Sequence, residues 1–159
     1  MSGMKARTIV IEEHGGPEKL ELVEWPVGEP GPGEIRIRHE ACGLNYIDVY
    51  QRSGLYKLDL PHALGMEAAG VVEAVGKDVT RFKVGDAVFA FSDAKMGAHA
   101  EFITMPAEGV IAPRPDGFGF DEAAALSFGG VTALQFFQRA GLKEGEKLLV
   151  NGASGAVGT

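Results

Sequence analysis

Along the first three-quarters of the chain, apolar and polar positions alternate. Residues 35–38 read Ile-Arg-Ile-Arg, the two-residue period of a half-buried strand. Runs of similar texture recur at KARTIVI (5–11), KLELVEW (19–25), EIRIRHEACG (34–43), MEAAGVVEAVG (66–76), DAVFAF (86–91), AHAEFIT (98–104) and GVIAP (109–113). Turn sequences such as HGGP (14–17) and EPGPGE (29–34) punctuate them. Short strands at this spacing predict a mainly β unit, a small barrel or sandwich. One helix is expected inside it, NYIDVYQRSG (45–54). Asn45 is placed to cap its N-terminus, Asp48 to return the bond as in a capping box, and Gly54 to end it.

After RPDGFGF (114–120) the period changes. DEAAALSFGGVTALQFFQRAG (121–141) reads as helix, with Asp121 and Glu122 at the positive end, Arg139 at the other, and Gly141 as the stop. Val131, Leu134 and Phe137 recur at helical spacing, and Gly129–Gly130 is expected to divide the helix into two pieces. KEGEK (143–147) is a turn. Lys147–Val150 is then expected as a strand that runs into three glycines spaced by three, Gly152, Gly155 and Gly158. The boundary between the two textures predicts units 1–120 and 121–159.

Charge narrows the function. The net charge of −7 supplies no basic field, which argues against nucleic acid or an anionic membrane surface as partner. The longest apolar-rich stretch, 123–137, is interrupted by Ser127, Thr132 and Gln135 and predicts no membrane span. No apolar signal segment opens the chain. The single cysteine, Cys42, cannot close an internal disulfide or build a Cys-rich zinc site, so a reducing cytoplasm is expected. Cys42 itself is expected to be a buried strand residue.

Glycines after a strand have a physical use. They permit a tight turn and let backbone N–H groups approach a pyrophosphate at a helix N-terminus. Gly152, Gly155 and Gly158 are thus candidates for dinucleotide binding, a flexible glycine-rich tail being the alternative. The acidic residue that would read a ribose hydroxyl is expected about 20 residues further on, beyond Thr159.

Four segments carry a resemblance. ACGLNYIDVYQRSGLY (41–56), LPHALGMEAAGVVEAVGKDVTRFKVGDAVFAF (60–91), GAHAEFITMPAEGVI (97–111) and DEAAALSFGGVTALQFF (121–137) resemble, in order, the medium-chain dehydrogenase/reductase superfamily, and most closely its zinc-free quinone oxidoreductase branch. The resemblance implies a GroES-like, partly open β-barrel on the substrate side, followed by the first helix and strand of an α/β Rossmann domain that holds NADPH. It implies that the chain is part of a longer protein, and that by itself it binds NADPH weakly and turns over little. The choice between NADPH and NADH stays open, as does the oligomeric state, a homodimer being one outcome for the complete protein.

The resemblance also assigns residues. Asn45, Tyr46, Asp48, Tyr50, Arg52 and Tyr56 match positions around the nicotinamide and substrate cleft, and Thr132 matches one near the nicotinamide. Each has a structural alternative. Asn45 can be a helix cap, Asp48 and Arg52 an ordinary helical ion pair, Tyr46 and Tyr50 packing residues, and Thr132 a hydroxyl bonded to the preceding turn. Glu67 matches a carboxylate usual in the family, a structural role behind the cleft being its alternative. The alcohol dehydrogenase branch has a cysteine at the position of Asn45 and Gly-His-Glu at Gly65-Met66-Glu67. Asn and Met are poor zinc ligands, and His14, His39, His62 and His99 read as surface or strand-edge residues, so no metal is expected. Without a Lewis acid, hydride from NADPH suits an already electron-poor acceptor, a quinone or an enone. A zinc-free enone reductase and a free-standing, non-catalytic GroES-like binding module are the competing readings.

Overall fold

The computed structural model describes residues 4–92 and 97–159. Among the described residues eight strands form two antiparallel sheets that do not close into one barrel. The first sheet pairs β1 (Lys5–Ile11) with β2 (Glu21–Pro26) on one side and β4 (His62–Ala63) on the other. The second follows the order β7 (Phe102–Pro106), β3 (Glu34–Cys42), β5 (Glu67–Val75), β6 (Ala87–Phe91), β8 (Ile111–Pro113). A single bridge, Thr8 to Ala100, links the sheets. Inward-facing residues of the second sheet, among them Ile35, Ile37, Val72, Val88, Ile103 and Met105, form the main core. Gly70 on β5 lets that strand pass close to β3, since a Cβ there would run into the Arg38 carbonyl.

Helix α1 (Tyr46–Ser53) begins after Asn45 and ends on Gly54, whose φ of 82° is the left-handed cap expected of glycine. Helices α2 (Phe120–Ala124) and α3 (Leu126–Ala140) follow the second sheet. Ala123 and Ala124 pack on Ala69, with Phe89 and Phe120 around them.

Several expectations change. The helical stretch breaks at Ala125, not at Gly129–Gly130, which lie within α3. Lys147–Val150 is not a strand: no strand among the described residues pairs with it, and Leu149 is 92% exposed. A parallel strand gets its hydrogen bonds from neighbours rather than from itself, so apolar character alone does not make one. Arg36 does not face solvent as simple alternation requires. It is buried, with Nε donating to Glu73 at 2.6 Å and Nη1 3.1 Å from Glu29. Residues 17–19 form a 3-10 turn before β2. Among the described residues no helix is long and apolar enough to cross a membrane.

Candidate functional site

The start of α1 and the start of β5 are tied together by one carboxylate. Glu67, 3% exposed, accepts from Asn45 Nδ2 at 2.8 Å through Oε1. Through Oε2 it accepts from Ser127 Oγ at 2.9 Å and Phe128 N at 2.6 Å. The last bond satisfies a backbone N–H in the first turn of α3, where an anion is favoured. These bonds give Glu67 the structural alternative. It clamps two helix N-termini against the sheet.

Asn45 is both cap and cleft residue. Its backbone N–H donates to Asp48 Oδ2 at 2.8 Å, the return arm of the expected capping box. Asn45, Asp48, Val49 and Arg52 share one face of α1 and line a cavity of about 480 Å³ with Tyr46 and His99. Burial holds the Asp48 carboxyl above the ordinary carboxylate range, and Glu67 adds to the shift; the Asn45 N–H and His99 oppose it. Arg52 makes no ion pair with Asp48, and its Nε is buried without a partner among the described residues. The nearest side chain to Asp48 from outside its helix is instead His99, whose Nε2 lies 3.7 Å from Oδ2 and donates to Gly43 O at 3.1 Å.

The tyrosines form a row beside this face. Tyr46 and Tyr50 meet edge-to-face with ring centroids 5.5 Å apart, and Tyr50 and Tyr56 repeat the arrangement at 5.5 Å. Tyr46 borders the cavity; Tyr50 and Tyr56 extend the row outside its lining. Thr132 donates to Phe128 O at 2.7 Å, the helical back-bond that was its alternative.

His99 is the residue that sequence reading missed. It was placed at a surface or strand edge, but the chain folds it against Asp48. Its only signal is an imidazole between two alanines, Ala98 and Ala100, in a strand-like run. Cys42 also departs from expectation: it ends β3 but is exposed, while its thiol donates to Ala98 O at 2.8 Å. Partial burial pushes the thiol up from 9.0 to about 11. At neutral pH this leaves about 100-fold less thiolate than an ordinary cysteine has. Iodoacetamide should therefore label Cys42 correspondingly slowly despite its exposure; labelling as fast as that of free cysteine would refute the assignment.

The three glycines lie in a series of turns rather than an open tail. Gly155 N donates to Gly152 O at 3.0 Å, and Gly158 N to Gly155 O at 2.9 Å. Gly152 has φ of 76°, and a Cβ on Gly158 would lie 2.6 Å from Gly152 O. The turn rests on α3 at Gly129, where any Cβ would run into Ala156 O. Gly129 therefore serves close approach, not a helix break. Among the described residues no acceptor meets the N–H groups of Ala153, Ser154, Ala156 and Val157. Clustered free N–H donors in such a turn fit a phosphate group.

Comparison with known proteins agrees with this architecture. The alcohol dehydrogenase GroES-like domain model matches residues 31–116, more than half of the chain. A quinone oxidoreductase of Pseudomonas aeruginosa is 46% identical over 155 residues, covering 96% of this chain and 47% of that protein. The crystal structure of human synaptic vesicle membrane protein VAT-1 homolog-like protein superposes with a TM-score of 0.90 at 40% identity, over 98% of this chain and 50% of that one. Escherichia coli quinone oxidoreductase complexed with NADPH superposes with a TM-score of 0.84 at 37% identity, over 96% and 47%. The chain spans about half the length of the curated relatives it matches. With its two antiparallel sheets, its capped helix α1 over the cleft and the matched domain, the chain belongs to the alcohol dehydrogenase GroES-like domain family, in the medium-chain dehydrogenase/reductase superfamily.

Proposed function

We propose that residues 1–120 form the substrate-side domain, and residues 121–159 the opening of the dinucleotide-binding domain, of an NADPH-dependent oxidoreductase that reduces a quinone or a similarly activated carbonyl compound. The observation that carries this reading is the cleft on α1, where Glu67 fixes the Asn45 amide and the Asn45 backbone N–H in turn holds buried Asp48, beside an exposed tyrosine edge. The similarity to quinone oxidoreductases, one of them complexed with NADPH, supports the choice of acceptor and cofactor.

A reduced nicotinamide nucleotide, when bound, supplies a hydride from C4 of its ring. The chain's own part is binding, orientation and exclusion of water. The free N–H groups around Ala153–Val157 would hold phosphate, Gly152, Gly155 and Gly158 keep that turn tight, and Thr132 lies in the helix on which it rests. Asn45, Tyr46 and Asp48 would face the acceptor, with Tyr50 and Tyr56 extending an aromatic wall for a planar ring. The donor set supports chemistry without zinc. The Asn45 amide is committed to Glu67, Met66 Sδ faces Gln51 Nε2 at 3.6 Å, and among the described residues no three His, Cys, Asp or Glu side chains converge.

A cytoplasmic location suits the free thiol of Cys42. The test of the cofactor assignment is Gly129→Ala in the whole protein. Overpacking there pushes the glycine turn off α3, and NADPH affinity by fluorescence titration should fall about tenfold or more. Unchanged affinity would remove the turn from the nucleotide site.

A further inference from the structure

One polar atom in the cleft has nothing to bond. Asp48 is 8% exposed, and its Oδ1 is buried without a hydrogen-bond partner among the described residues, while Oδ2 takes the Asn45 N–H. Leaving a buried carboxyl oxygen bare is costly unless a ligand meets it. Oδ2 has a second neighbour in the His99 imidazole at 3.7 Å. His99 is also the wall between two cavities, the cleft of about 480 Å³ and one of about 380 Å³ bordered by Arg7, His39, Cys42 and Glu101. The imidazole thus touches Asp48 on one side and borders a second, open space on the other.

We propose that Asp48, which lines the cleft, is the proton donor of the reaction, its unpartnered carboxyl oxygen turning from its buried position to meet the oxygen of the acceptor as it is reduced, and that His99 is a positioning residue that stabilises the carboxylate left behind. This rests on the hydride-transfer reading above. In the step, hydride from the reduced nicotinamide nucleotide forms a bond to the acceptor and brings both electrons. The C=O π pair moves onto oxygen, the Asp48 O–H bond breaks, and a new O–H bond forms on the acceptor. Asp48 remains as carboxylate with the His99 imidazole 3.7 Å from Oδ2, and water entering the emptied cleft restores its proton. The groups facing Asp48 are His99 from the 97–100 segment, Glu67 from β5, the Asn45 N–H at the cap and Arg52 one turn further along α1. Burial and Glu67 favour the protonated acid; His99 and the Asn45 N–H favour the carboxylate.

Two readouts on the whole protein test this. The first is a ¹³C NMR titration of the Asp48 carboxyl, which needs no turnover. Its midpoint should lie above the ordinary carboxylate range and move further up in His99→Phe and in His99→Asn, which both remove the imidazole. An ordinary midpoint, unmoved by either variant, overturns the proposal. The second is steady-state reduction by Asp48→Asn, whose amide still accepts the Asn45 N–H. A fall of about 100-fold in kcat with little change in KM is expected of a lost acid. An unchanged kcat with a raised KM makes Asp48 a binding group and overturns the proposal while the functional reading stands. If the unsubstituted protein reduces no acceptor while the titration behaves as described, the functional reading has failed, and the transfer step falls with it.

Discussion

Glu67→Ala should cost the fold about 3–5 kcal/mol, because it removes the shared acceptor of a buried hydrogen-bond network. Three donors lose their acceptor at once: Asn45 Nδ2, Ser127 Oγ and Phe128 N. Each buried donor left unsatisfied costs about 1–3 kcal/mol, and the effects do not simply add because the three share one side chain. Against a typical domain stability of about 5–15 kcal/mol the loss is large. It should appear as a lower urea midpoint. Because the network joins the N-termini of α1 and α3 to β5, Asn45 and Asp48 should lose their fixed places as well. Glu67→Gln keeps the shape and one acceptor oxygen, so its cost should be smaller. A loss below about 1 kcal/mol for the alanine variant would place the site's rigidity elsewhere.

Acid should destabilise the protein through His39 before most carboxylates take part. His39 lies on β3, half-buried at the smaller cavity, and Nδ1 donates to Ala100 O at 2.7 Å. Burial, the largest cause, pulls its pKa from 6.5 down to about 4, with His99 adding to the shift and backbone carbonyls opposing it. The folded pKa lies below the unfolded one. Between the two values the unfolded chain takes up a proton that the folded chain refuses. Stability is therefore full above about 6.5, falls as pH drops toward 4, and loses about 3 kcal/mol over that window. Urea unfolding across the window should show this slope, and His39→Gln, which can still donate to Ala100 O, should flatten it. An equal slope in the variant would assign the effect to other groups. Asp48 acts in the opposite sense. Its raised folded pKa means that stability is present below the unfolded carboxylate value and is lost as pH rises through the folded one. Asp48→Asn should consequently gain stability at neutral pH relative to acid.

The strands were legible because a two-residue period survives wherever one face is buried, as at Ile35 and Ile37. Arg36 escaped that logic because Glu73 and Glu29 let a cation be buried. Helix α1 could be read to the residue, since its cap signals are local: Asn45, Asp48 and Gly54 act within their own turns. Signals that depend on distant partners were not legible. Gly129 looks like a helix breaker in sequence, yet its use is to admit Ala156 O. Lys147–Val150 looks like a strand, but strand formation belongs to the pair and not to the segment. In the site, the α1 residues came from sequence, while Asp48's neighbour His99 is set by the sheet crossing between Thr8 and Ala100. The assumed Asp48–Arg52 pair followed from helical spacing alone and gave way to that tertiary contact.

The most direct measurement of the central claim is quinone-dependent consumption of NADPH by the whole protein, with and without a strong metal chelator. The account predicts that NADPH is consumed only when a quinone is present, at a rate the chelator does not change, and that this activity is lost when Asn45 and Asp48 are replaced together. No quinone-dependent consumption, or a rate abolished by the chelator, would contradict it.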